Sequence, residues 1–233
     1  TAPAITNYEF DSWTVGTGVQ AVDETANPIQ ITTKADGEYT LVANYTKIEL
    51  TYTVKVPEGT EKCYIAGDMN SWAFQEMTPT ANANEFTVTI DGATNAHKYK
   101  YTCGEDWKYV EVKADGSNLD DNRKYAANDI VARWNCAPGI HLVGEMNNWN
   151  TAANKFVESG STATVTIALE AGVYKFKVNN DGEWLGNNGT MTRGGDGMDT
   201  GWTFASDKDA CQLTADIAGD YIFTWDLTNK KLT

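Results

Sequence analysis

Eight tryptophans in 233 residues exceed what core packing alone usually needs, and two of them close a repeated hexapeptide. Gly67-Asp68-Met69-Asn70-Ser71-Trp72 returns as Gly144-Glu145-Met146-Asn147-Asn148-Trp149. In both copies glycine allows a tight exit from a strand, and asparagine tolerates turn geometry. The indole of Trp72 or Trp149 then falls on a loop at one end of a sandwich. There it either packs inward as a lid on the core or stands open to a ligand with flat apolar faces.

A second feature joins each indole. In Tyr174-Lys175-Phe176-Lys177-Val178 the apolar residues share one face of a strand and the two lysines share the other. A tight turn at Asn180-Asp181-Gly182 follows, and Trp184 arrives just past it. The first copy reads the same way, with Tyr99, Tyr101 and Cys103 inward, Lys98 and Lys100 outward, and Trp107 after the turn. Laying Tyr99-Lys100-Tyr101 on Tyr174-Lys175-Phe176 pairs Lys100 with Lys175, puts Cys103 where Val178 sits, and shortens the hairpin before Trp107 enough to tilt that ring away. An indole beside an amine suits a pyranose, which offers C–H bonds to an aromatic plane and hydroxyls to donors. Covering one sugar face removes on the order of 60–80 Å² of apolar surface, roughly 2 kcal/mol at ~25 cal/mol per Å². Two indoles set at an angle would cradle a curved glucan, and a flat array would suit a straight one. Asn187 or Asn188 could add donors, and Trp202 could be a third platform or close the core. The plain alternative for Lys175 is a solvated strand residue.

The elements that must position these residues are strands. Leu50, Tyr52, Val54 and Val56 alternate with Thr51, Thr53 and Lys55. Phe86-Val88-Ile90, Val165-Ile167-Leu169 and Tyr221-Phe223-Trp225-Leu227 repeat the pattern, with Glu58-Gly59, Asp91-Gly92 and Asp181-Gly182 as turns between. This period predicts an all-β fold of tandem immunoglobulin-like sandwich modules. The copies are 77 positions apart from Tyr64 to His141, an offset that also carries Val88 onto Val165 and Trp107 onto Trp184. The expected modules are 48–135 and 136–233, joined by the short Pro-containing linker Asn135–Gly139, which restricts their relative orientation. Gln30–Thr51 can be laid without a gap on Gln212–Thr233, with Tyr39 on Tyr221 and Gly37 on Gly219. Residues 1–47 are therefore either part of a preceding module, a small N-terminal strand pair or a degenerate immunoglobulin-like domain.

A net charge of −14 argues against nucleic acid, whose phosphates call for clustered Lys and Arg, and favours a neutral ligand. Cys63, Cys103, Cys136 and Cys211 lack metal-site spacing and are too sparse for a disulfide framework, so they are expected free and buried. No stretch is long and apolar enough to span a bilayer. Thr1 is not an initiator, so an export signal could have preceded it. Asp115, Asn118, Asp120 and Asp121 in one loop, and Asp196 and Asp199 in another, are oxygen-rich but lack EF-hand spacing, and read as solvated turns.

The runs IAGDMNSW…YKY…W and LVGEMNNW…YKF…DGEW resemble starch- and glycogen-binding modules of the AMP-kinase β-subunit type. The tandem layout and the ending GDYIFTWDLTNKKLT look like the SusE/SusF outer-membrane starch-binding lipoproteins. The resemblance covers most of residues 48–233. It implies that Trp149, Lys175 and Trp184, and in the first copy Trp72, Lys100 and Trp107, touch an α-glucan. It also implies a monomer without cofactor or catalytic site, secreted or held on the outer membrane by an N-terminal lipid anchor. An ancillary region of a larger amylolytic enzyme and a surface adhesion or scaffold protein are the alternatives. The last predicts scattered exposed aromatics. A hydrolase would need carboxylates paired in a cleft, and here they lie in turns.

Overall fold

The computed structural model describes residues 1–192 and 201–233. The chain is nearly all β, and its strands surround two separate cores. In the first, the sheet containing Glu49–Lys55 and Glu85–Asp91 faces the one containing Tyr64–Gly67 and Lys98–Thr102. Tyr52, Val54 and Phe86 from one side meet Ile65, Tyr99 and Tyr101 from the other. The second core lies between the sheet of Thr162–Leu169 and Gly219–Asp226 and the sheet of Ile140–Gly144, Gly172–Asn180 and Cys211–Ala215. The alternating residues read from the sequence are those that turn inward: Tyr52, Val54, Ile167, Leu169, Phe223 and Trp225 are all buried.

A buried polar knot fastens the first core. Glu111, 1 % exposed at its side chain, accepts from Arg123 at 2.6 Å, and Arg123 also holds Asp129 at 2.8 Å. The Tyr99 and Tyr101 hydroxyls donate to Asp129 at 2.6 and 3.0 Å. The second core has nothing comparable at these positions, because Phe176 and Val178 stand there.

Residues 1–47 form two short antiparallel pairs, Tyr8–Val15 with Leu41–Lys47 and Val19–Ala21 with Ile31–Thr33. Tyr39 donates its hydroxyl to the carbonyl of Ala35, four residues back, and Tyr221 does the same to Ile217 at 2.9 Å. Tyr174 makes the same bond to the Glu170 carbonyl at 3.0 Å, so this tyrosine-to-carbonyl contact is a recurring local feature and does not single out the two positions that the gapless overlay superposes. The segment is tied to the first core by the Ile48 N–H on the Asn7 carbonyl and by Lys47 on Asp91 at 2.7 Å.

All four cysteines are free and buried. Burial pushes the Cys136 and Cys211 thiols up to about 11, and those of Cys63 and Cys103 higher still.

Candidate glycan platform

Each hexapeptide folds by the same local chemistry. Gly67 and Gly144 have extended backbones, so their need for glycine is spatial. A Cβ on Gly67 would meet the Lys98 carbonyl at 2.4 Å, and one on Gly144 the Lys175 carbonyl at 2.4 Å. A 3-10 turn follows, plugged by its last asparagine. Asn70 accepts from the Gly67 N–H at 2.8 Å and donates to the Ile65 carbonyl at 3.0 Å; Asn147 makes the equivalent bonds to Gly144 and Leu142. The acidic residue anchors the turn to the neighbouring strand. Asp68 accepts from the Lys98 N–H at 2.9 Å, and Glu145 from the Lys175 N–H at 2.8 Å.

The chain then takes two left-handed residues in succession. Ser71 and Trp72 have φ of 54° and 62°, and Asn148 and Trp149 of 53° and 58°. Side chains with a Cβ disfavour this region, more so when bulky. Strain held identically in both copies directs attention to what it presents, which is the indole.

The partner indoles arrive by two routes. Asp181 and Gly182, at φ of 53° and 98°, make a two-residue hairpin that returns the chain as Glu183–Leu185, with Trp184 opposite Asn179. In the first copy Trp107 opens a 3-10 turn whose cap is Asp106. Both routes succeed. The rings of Trp149 and Trp184 lie 6.5 Å apart at 47°, and those of Trp72 and Trp107 6.0 Å apart at 48°. Three of the four indoles are half-buried and Trp107 is exposed, so none is sealed in a core. The expected tilt of Trp107 away from the surface does not occur. Phe74, which the sequence reading missed, adds a third ring 5.1 Å from Trp107. Trp72 spends its indole N–H on Asp68 at 3.1 Å. Those of Trp107, Trp149 and Trp184 meet no protein acceptor among the described residues.

Strand pairing corrects the match between the lysines. Tyr99 lies opposite Gly67, and Phe176 opposite Gly144. Lys98 is therefore the counterpart of Lys175, Lys100 that of Lys177, and Cys103 that of Asn180 rather than Val178. The hairpin is not shortened; the apparent difference came from a two-residue slip. Trp184 shares its face with Asn179, Lys177 and Lys175, which recede along the strand at about 6.7 Å per pair of residues. On the strand Lys177 stands one step nearer to Trp184 than Lys175 does, and its Nζ reaches the Lys208 carbonyl at 3.0 Å. Lys175 is exposed on the same face and Lys100 is half-exposed. The signal for Lys177 was present: seven positions separate Lys100 from Trp107, and seven separate Lys177 from Trp184.

The other candidates have structural duties. Asn187 donates to the Thr203 carbonyl at 2.5 Å and accepts from the Gly189 N–H at 3.0 Å. Asn188 accepts from the Asp209 N–H. Both amides brace their loop. Trp202 packs on the second core, and a Cβ on Gly189 would meet its ring at 2.3 Å. In the acidic loop Asp115 accepts from Ser117, Asp120 pairs with Lys113 and Asp121 with Lys98. Asp196 and Asp199 lie outside the described residues.

His141 is buried, with Nδ1 at 3.0 Å from the Ala153 carbonyl and Nε2 at 3.2 Å from that of Pro138. Burial holds it below its ordinary pKa. Two concave spaces, of about 290 and 900 Å³, lie between the two halves of the chain, and one of about 260 Å³ lies beside Glu9, Lys47 and Ala93. The indole pairs stand on open surface instead. No family model matches the chain, nor does any curated protein or solved structure.

Proposed function

We propose that this chain is a non-catalytic binder of α-glucan, built as two tandem immunoglobulin-like modules and acting outside a bacterial cell, on the outer membrane or secreted. The observation that carries this reading is the pair of tilted, open indoles in each half, at 47° and 48°. Rings inclined in this way fit the curve of a starch or glycogen helix and would not lie flat along a straight cellulose chain. Lys177 and Lys175, on the strand face that Trp184 covers, and Lys100, the counterpart of Lys177 in the first copy, supply donors for hydroxyls. Scattered aromatics would have favoured an adhesion protein; clustering by pairs favours a sugar.

Each pair buries one or two sugar faces, which suits a weak site with Kd of roughly 10⁻⁴ to 10⁻³ M. The test is retention of the purified chain on native gels cast with amylopectin, glycogen, hydroxyethylcellulose or xylan, with reducing-sugar release followed in parallel. Retardation by the first two alone, without sugar release, is expected. Free migration on both α-glucans would overturn the reading, and release of sugar would make the chain an enzyme.

A further inference from the structure

We infer that the two indole pairs form one composite site, which a single long glycan chain occupies across both halves of the protein. This rests on the glucan reading above and adds a length requirement to it. Both elements that carry the second pair are bonded to the first half. Immediately after Trp149, Asn150 donates to the Glu58 carbonyl at 2.9 Å and Thr151 to the Trp134 carbonyl at 2.9 Å. Three residues before Trp184, Asp181 receives Lys108 Nζ at 2.6 Å and the Tyr109 hydroxyl. Lys108 and Tyr109 are the residues next after Trp107. The clasp therefore joins the turn bearing one platform to the hairpin bearing the other.

Further contacts join the two halves. Lys155 pairs with Glu61 at 2.6 Å, and Gly59 lies so close to Ala152 that a Cβ there would meet its carbonyl at 2.4 Å. Cys136 and Ala137 of the linker are buried. Summing the side-chain and backbone reach through the clasp keeps Trp107 and Trp184 within roughly 25 Å of one another. Two weak sites held at such a fixed, short distance act on one chain with a high effective concentration.

The test is calorimetric titration of the full chain with maltotriose and with a linear maltodextrin of about twenty units, for wild type, for Trp184→Ala and for the double variant Trp72→Ala, Trp107→Ala, each of which removes one platform. The expected wild-type result is one long chain per protein, bound about tenfold or more tighter than maltotriose. In either variant the long chain should bind no tighter than maltotriose binds that same variant. Two long chains per protein, equal affinity of wild type for long and short ligands, or a gain that survives the loss of one platform would overturn the inference and leave the glucan reading intact. Failure of wild type to bind either ligand would overturn both.

Discussion

Replacing Trp184 by alanine removes one wall of the second platform and little else. The ring is half-exposed, and the hairpin is fixed by backbone pairing of Asn179 with Trp184 and of Asn180 with Glu183, which alanine retains. Leu185 next to it is buried and continues to hold the strand down. On the proposed function, losing contact with one sugar face would forfeit on the order of 60–80 Å² of apolar burial, about 2 kcal/mol, or roughly thirtyfold in affinity. Because the first platform would mask this loss, the substitution belongs in a Trp72→Ala, Trp107→Ala background. The assay is migration through native gels of graded amylopectin content, with far-ultraviolet circular dichroism and urea unfolding to show that the sheets persist. Unfolding should stay close to that of the background, since surface changes usually cost little. Retention equal to that of the background, with the fold intact, would refute the assignment of Trp184.

Other outcomes follow from the same geometry. Gly144→Ala forces a Cβ against a backbone carbonyl that cannot swing aside, so urea unfolding should show a loss of about 3 kcal/mol; unchanged stability would contradict the spatial argument. Arg123→Ala strands Glu111 and Asp129 inside the first core, and a loss of roughly 3–5 kcal/mol is expected in the same measurement. His141 is held below its ordinary value near 6.5, so the unfolded chain takes up a proton that the folded chain resists. Stability is then full above about pH 6.5 and declines as pH falls below it. Comparing unfolding midpoints at pH 7.5 and 5.5 tests this. The decline should shrink in His141→Tyr, which installs the residue that the first copy carries at Tyr64.

Much of the architecture was legible because strand burial has a period of two. Tyr52-Val54 and Phe223-Trp225 could face nowhere but inward. The place of the hexapeptide was readable from its repetition, but its reasons were not: the glycines are extended and needed for space, and the asparagines act through their side chains. The lysine register was not. A slip of two residues preserves which side chains face in and which face out, so alternation cannot detect it. The chemical likeness of Tyr-Lys-Tyr to Tyr-Lys-Phe then drew the alignment to the wrong partner. The spacing to the following tryptophan held the true match, and strand pairing fixes it, with the Lys98 N–H on Asp68 and the Lys175 N–H on Glu145 in equivalent places.

Features made by distant residues were hidden for a different reason. Glu111, Arg123 and Asp129 look like ordinary surface charges in a linear reading, and nothing near Asp181 announces Lys108, 73 positions away. Phe74 escaped because its counterpart in the second copy is Thr151, which turns inward to bond Trp134 instead. Repeats reveal what two modules share. They conceal what each has adapted to its neighbour.

The most direct measurement follows the eight indole N–H resonances of the ¹⁵N-labelled protein during titration with a linear maltooligosaccharide. The account predicts saturable shifts in the signals of Trp149, Trp184, Trp72 and Trp107, assigned by single substitution, while buried Trp134 and Trp225 stay in place. Shifts confined to other tryptophans, or none at millimolar ligand, would contradict it.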